Sequence, residues 1–236
     1  MILTMLGVNG PYPSIKGACS GYLLSSDSGR TKLLIDCGSG VLGRLLGECS
    51  IRDISAVVLS HLHFDHMSDM LPMNYLLSAS GVKGLKVICP NTPEKVRRML
   101  EDGEMDLYPI QDMTIGEMKI EFLRVSHPVE AYAVRVIADG KTFVYTGDTN
   151  ECDALPLFCH RADLLLADAG LLSDDWNIRK PHMTPAMCAR LAREAGVGRL
   201  VLTHINPMYN VEAVLDEAQS DYPDALVARA GIRISI

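Results

Sequence analysis

Four side chains able to bind a metal or carry a proton fall within six residues, in His61-Leu62-His63-Phe64-Asp65-His66. Imidazole and carboxylate donors together suit zinc, iron or manganese. His61 and His63 stand two apart and can converge on one ion, while Asp65 and His66 on the following turn can address a second. The run ahead of them, Ala56-Val57-Val58-Leu59-Ser60, is apolar and rich in β-branched residues and reads as a short buried strand. The cluster therefore lies at a strand's carboxyl end. A single histidine there would pass for an ordinary loop residue, but four donors packed so closely would not. Four donors also cannot complete two metal sites, so partners must come from elsewhere in the chain.

The histidines outside this cluster are His127, His160, His182 and His204. His127 follows a strand-like run ending in Val125-Ser126, and His204 directly follows another at 200–203. Both share the first cluster's position, the carboxyl end of a strand, where open α/β sheets collect ligands. Asp148 closes a strand in Tyr145-Thr146-Gly147-Asp148-Thr149, where Gly147 permits close backbone approach. A carboxylate there can bridge two ions about 3.5–4 Å apart, the spacing of two-metal hydrolases. His160 lies in a helical stretch with no other donor around it and reads as a surface residue.

The remaining sequence supplies the elements that must position these groups. Runs 19–24 and 31–37 form a hairpin around the polar turn 25–30. Helical spacing follows at 41–48 and 69–78, with a strand at 85–89. Asn91-Thr92-Pro93 offers a cap, with proline in the first turn, for a helix at 94–101. In the second half, 118–125 is a strand, and 132–138 and 141–145 flank Asp139-Gly140, a strong hairpin signal. A strand at 164–167 precedes a helix that Thr184 caps and Gly196 ends. Beyond it come a strand at 199–203, a helix at 211–219 and a closing strand at 225–236. Hairpins and strand–helix alternation in both halves predict an α/β sandwich with sheets inside and helices outside. No low-complexity linker divides the chain, so one domain over residues 1–236 is expected.

Composition narrows the function. The chain is 48% hydrophobic and 22% charged, which is globular and neither disordered nor collagenous. Its 22 Lys and Arg against 29 Asp and Glu give a net charge of −7. No basic stripe of the kind used on a phosphate backbone is visible, so nucleic acid is not the favoured partner. Bound divalent ions would offset part of the negative charge. Apolar runs fall far short of the ~20 residues of a membrane helix, and residues 1–13 lack the basic start of a signal peptide. A soluble, cytoplasmic protein with no membrane attachment is expected. Seven cysteines, an odd number with no C-x-x-C pair, read as reduced buried thiols.

Competing motifs fare less well. Gly38-Ser39-Gly40-Val41-Leu42-Gly43 formally matches a dinucleotide fingerprint, yet the next strand ends in Ser60-His61 and not in an acid that would hold a ribose. No Gly-x-Ser-x-Gly elbow supports a serine nucleophile. Trp176 reads as an indole packed on the surface, with a wall of the substrate pocket as the alternative.

The ordered set His61, His63, Asp65, His66, His127, Asp148 and His204 resembles the ligand motifs of the metallo-β-lactamase superfamily over residues 1 to about 210. The turn Asp36-Cys37-Gly38-Ser39-Gly40 is similar to that superfamily's first, mainly structural, motif. The resemblance implies a four-layer αββα sandwich and two divalent metal ions, zinc ahead of manganese or iron. One ion would take His61, His63, His127 and Asp148, and the other Asp65, His66, Asp148 and His204. A homodimer is also implied.

Pro181-His182-Met183-Thr184, opening a helix that leads back to His204, is similar to the phosphodiesterase branch containing ribonuclease Z. By that likeness His182 contacts the scissile phosphate and can donate a proton, with helix capping as its alternative role. Ribonuclease Z pairs this histidine with the glutamate of a Glu-Ala-Thr turn. Here Asp168-Ala169-Gly170 stands in that place, so Asp168 would support His182 with a shorter reach. Asp65 would orient the attacking water or accept its proton. Bacterial ribonuclease Z grips transfer RNA with a Gly- and Pro-rich arm, whereas segment 148–182 here is compact and acidic. A small phosphodiester or cyclic nucleotide is therefore expected over transfer-RNA processing. Thioester or lactone hydrolysis at the same site comes next, and a non-catalytic metal or nucleotide sensor last.

Overall fold

Residues alternating at period two build two seven-stranded sheets. In the computed structural model, which describes residues 1–236, the first half runs β1 (Ile2–Gly7), β2 (Gly21–Ser25), β3 (Lys32–Ile35), α1 (Val41–Glu48), β4 (Ala56–Val58), α2 (Phe64–Met67), α3 (Met70–Ser80), β5 (Leu85–Cys89), α4 (Glu94–Arg98) and β6 (Met105–Pro109). The second half runs β7 (Met113–Ile115), β8 (Met118–Arg124), β9 (Tyr132–Ala138), β10 (Lys141–Tyr145), α5 (Leu155–Phe158), β11 (Leu164–Asp168), α6 (Pro185–Ala195), β12 (Leu200–Thr203), α7 (Val211–Gln219), β13 (Leu226–Val227) and β14 (Arg233–Ser235). The sheets are ordered β14-β1-β2-β3-β4-β5-β6 and β13-β12-β11-β10-β9-β8-β7.

Strand β3 shows how the layers arise. Leu33 and Ile35 enter the core between the sheets, while Leu34 packs with α1 and α3 outside. β11 does the same, with Leu164 and Leu166 inward and Leu165 and Ala167 toward α6. Three apolar cores thus separate four layers, helix–sheet–sheet–helix, as the α/β sandwich reading requires. No helix is long and apolar enough to cross a membrane.

Strands β3 to β6 run parallel, as do β10 to β13. Their carboxyl ends therefore gather along one edge of each sheet. The Asp139-Gly140 hairpin turn forms with φ of 55° and 68°, the double positive φ of a type I′ turn. Thr184 caps α6 by accepting from the Met187 N–H at 3.2 Å, and Gly196 closes it in the left-handed region.

The structure departs from the sequence reading in several elements. Strands β1, β6 and β7 are additional. β1, Ile-Leu-Thr-Met-Leu-Gly, has no period that separates strand from helix, and pairing with β14 and β2 on either side extends it. The expected closing strand 225–236 is two strands, because the chain turns at Gly231 with φ 87°. β13 completes the second sheet and β14 the first. Helix α4 is shorter than the expected 94–101. Its start carries no side-chain cap. Instead the Glu130 carboxylate accepts from the Asn91 and Thr92 N–H groups and the Thr92 hydroxyl, at 2.9–3.1 Å.

Leu34 is fully buried in the outer core. Leu34→Ala should cost about 2–5 kcal/mol. The check is a lower urea midpoint with an unchanged m-value.

Candidate metal centre

The donors assemble where strand ends from both sheets meet. His61 follows β4, and His63 begins the short helix α2, which carries Asp65 and His66. His127 follows β8 across the bridge Ser126–Asn150. Asp148 lies past β10, and His204 leaves β12 in the left-handed region with φ 58°. His61, His66, Asp148 and His204 are buried, each at most 1% exposed. All seven sequence-predicted donors are brought together, while His160 lies exposed in a turn after α5.

Two groups form. His61 Nε2 and His127 Nε2 each lie 3.1 Å from His63 Nδ1. Asp65, His66, Asp148 and His204 make the second, with donor atoms within 4.8 Å of one another. Asp148 stands between them, its Oδ2 3.6 Å from His61 Nε2 and 3.2 Å from His66 Nε2. Asp65 Oδ2 lies 3.5 Å from His66 Nε2 and 3.8 Å from His204 Nε2. An ion bonded tetrahedrally at about 2.0–2.1 Å holds its donors roughly 3.3–3.4 Å apart. Asp65 Oδ2, His66 Nε2, Asp148 Oδ1 and His204 Nε2 are buried with no hydrogen-bond partner. Buried polar atoms are rarely left so, and the donor set and spacing fit divalent metal ions.

Four of the five candidate-ligand imidazoles are oriented through their other nitrogen. His66 Nδ1–H donates to Asp36 Oδ2 at 2.8 Å. His61 Nδ1 lies 3.1 Å from Ser60 Oγ, which itself donates to Asp36 Oδ2 at 2.8 Å. His127 Nδ1–H donates to the Pro181 carbonyl at 3.3 Å, and His204 Nδ1 lies 3.2 Å from Ser20 Oγ. Asp36 also accepts from the Ser60 N–H at 2.7 Å and the Tyr145 hydroxyl at 3.0 Å.

Protonation follows burial and neighbours. Burial, with the charge of His66 adding to it, holds His61 far below the ordinary histidine range. Burial also lowers His63 and His127. Burial works to raise Asp148, but His204, His66 and His61 outweigh it and keep it ionised. His66 goes the other way, because Asp148, Asp65 and Asp36 overcome burial and hold it well above the usual range.

His182 lies beside this cluster. Its ring stacks on His204 with centroids 4.9 Å apart and planes 22° from parallel. Thr184 performs the capping of α6, so the His182 Nδ1–H is free to donate to Asp168 Oδ2, at 2.9 Å. Asp168 is fixed in turn by the Thr149 N–H on Oδ2 and the Gly170 N–H on Oδ1, each at 3.0 Å. Burial works to lower the His182 pKa, but the Asp168 carboxylate, with Asp148 behind it, lifts it to about 9.

Several supporting residues escaped the sequence reading. Ser20, Ser60 and Tyr145 orient the site, and only Ser60 had a signal, its place beside His61. A Cβ on Gly10 would fall 1.9 Å from the His204 ring. A Cβ on Gly38 would fall 1.9 Å from the Asp65 carbonyl, so that glycine admits the α2 turn and not a nucleotide phosphate. Trp176 is half-buried against the core around α6.

Residues 31–205 match the beta-lactamase superfamily domain. The chain belongs to that family, as a metal-dependent hydrolase of the metallo-β-lactamase fold. It is 34% identical over 214 residues to the probable metallo-hydrolase YhfI of Bacillus subtilis, covering 87% of each chain. Ribonuclease Z of Methanopyrus kandleri is 28% identical over 277 residues, covering 100% of this chain and 98% of the relative. The crystal structure of YhfI superposes with a TM-score of 0.92 at 31% identity over 99% of both chains. The short form of human tRNase Z shares the fold at TM-score 0.82 and 21% identity, over 100% of this chain and 99% of that one. A diphosphatase of the PhnP family does so at 0.74 and 20%, over 100% and 97%.

Asp36→Asn would turn an amide N–H toward groups that already donate. The loss should be about 1–3 kcal/mol and the orientation of His66. Metal analysis of the purified variant should show reduced content, alongside a lower melting temperature.

Proposed function

We propose that the chain hydrolyses small phosphodiesters, cyclic nucleotides among them, at a two-metal centre. In this reading His61, His63, His127 and Asp148 hold one ion, and Asp65, His66, Asp148 and His204 the other, with zinc favoured by the nitrogen-rich set. When bound, such ions lower the pKa of a coordinated water toward neutrality and neutralise charge on phosphoryl oxygens.

The observation that carries the reading is the His182–Asp168 pair. With its pKa near 9, His182 is an imidazolium at neutral pH, set against the candidate ligand His204. It can hold a phosphoryl oxygen or protonate a departing alkoxide, a poor leaving group that needs an acid. Asp168 keeps the ring in place and balances the charge that remains until the proton leaves. With Asp65 Oδ2 given to the metal in this reading, the other oxygen of that carboxylate would orient the attacking water or accept its proton. A thiolate leaving group would need no such acid, which favours phosphodiesters over thioesters. Between Asp148 and His182 the chain is taken up by α5, β11 and a 3₁₀ turn at Ser173–Asp175, which leaves no arm for gripping transfer RNA.

The test uses bis(p-nitrophenyl) phosphate with and without added Zn²⁺ or Mn²⁺, beside a thioester and a lactone. Metal-dependent release from the diester alone is expected; thioester or lactone turnover with an inert diester would overturn the reading. His63→Ala should lose bound metal and activity together. His182→Ala should keep its metal and lose about 10²–10⁴ in kcat on a cyclic nucleotide, whose alkoxide leaving group needs an acid, and lose less on the p-nitrophenyl diester. Full activity in His182→Ala would remove its assigned role.

The raised pKa of His182 gives a signed pH dependence. A histidine that acts as an acid is competent below its pKa, so activity should fall as pH rises through it. Positive charge from bound metal moves that limb below about 9. A kcat profile on a cyclic nucleotide should show this alkaline limb in the wild type and lack it in His182→Ala.

A further inference from the structure

Away from the metal centre, one cavity gathers positive charge in an acidic chain. It measures about 420 Å³ and lies between loop 8–17, α1, the segment after His204 and residues 227–230. Lys16, Arg44 and Arg229 line it, with Asn206, and no carboxylate does. The chain carries a net −7, yet the basic residues in its ion pairs are others. Arg44 gives one N–H to the Lys16 carbonyl at 2.5 Å, which fixes the loop without spending the charge. Val8, Ile205 and Tyr209 supply an apolar and aromatic wall.

This cavity is separate from the metal centre. None of the seven candidate ligands lines it. Val8 and Asn9 line the cavity while Gly10 meets the His204 ring, and this segment is laced to Ile205 by hydrogen bonds of 2.9 and 3.2 Å.

We propose that the cavity binds a phosphomonoester borne on an apolar or aromatic group, as in a nucleoside monophosphate. A phosphomonoester carries about −1.5 to −2 at pH 7 and three strong acceptor oxygens, whereas a diester carries a single charge. Two guanidinium forks and an ammonium with no acid to neutralise them suit the dianion. The volume is that of a small-ligand pocket, and the apolar wall takes the organic part. Hydrolysis of a phosphodiester releases a ligand of this class, but the inference rests on charge and shape and not on that reaction.

The experiment is calorimetric titration of the metal-loaded protein with adenosine 5′-monophosphate, in parallel with adenosine. Lys16 and Arg229 are exposed, so K16Q/R229Q should melt like the wild type. Its affinity for the monophosphate should fall at least about tenfold for each cation removed, with bis(p-nitrophenyl) phosphate turnover unchanged. His63→Ala, disrupted at the metal centre, should still bind. Adenosine should bind at least about tenfold more weakly than the monophosphate. Equal binding by K16Q/R229Q and wild type would overturn the proposal. So would loss of all binding in His63→Ala, or no binding to the wild type at millimolar concentration. Failure of diester hydrolysis would leave these titrations, and hence the proposal, standing.

Discussion

One buried carboxylate holds the two halves of the site in register. Asp36 directly follows β3, with φ 58°, and is fully buried. It accepts from the Ser60 N–H and hydroxyl, from His66 and from Tyr145. The first three come from Ser60, just past β4, and His66, in α2, both attached to the first sheet, and Tyr145 closes β10 in the second. A buried carboxylate without donors would cost several kcal/mol, so any arrangement that moves one of these donors is penalised. The same bonds decide which nitrogen of His66 is free and, through Ser60, which nitrogen of His61. Position, tautomer and the joining of the sheets thus depend on one side chain.

Space is the second constraint. The ring of His204 lies where a side chain on Gly10 would be, and the Asp65 carbonyl where one on Gly38 would be. The N-terminal loop and the β3–α1 turn can therefore close onto candidate ligands only through glycine. Gly38 belongs to a pattern that formally reads as a nucleotide loop, and in the fold it serves close packing against α2.

This explains what the sequence could and could not reveal. The donors were legible because their types are rare and their spacing at strand ends is specific, and His61, His63, Asp65 and His66 are contiguous enough to be found alone. Helix α6 was legible from Thr184 and Gly196, and the β9–β10 hairpin from Asp139-Gly140, since each signal is local. Strand β1 was not, because its extended form depends on β14, more than 200 residues away. The split of the closing strand depends on which sheet each part can reach. Tyr145 and Ser20 look like ordinary strand residues until two sheets bring them to Asp36 and His204. Glu130 replaces a local cap from across the fold, so Asn91 sent the wrong signal.

The electrostatics of the site then follow from where negative charge is placed. At one end His61, His63 and His127 are kept neutral by burial, which leaves lone pairs for a cation. At the other end His182 is kept charged because Asp168, fixed by two backbone N–H groups, stands 2.9 Å away. Asp168 is the last residue of β11, and its carboxylate reaches His182 from there. His182 stacks on His204, and His204 on His66, with centroids 4.9 and 5.1 Å apart. That column holds the His182 ring at a set distance from two candidate metal ligands. A hydrolase that must activate water at one point and protonate a leaving group at another needs such a polarity. Here it comes from the position of carboxylates around chemically identical rings.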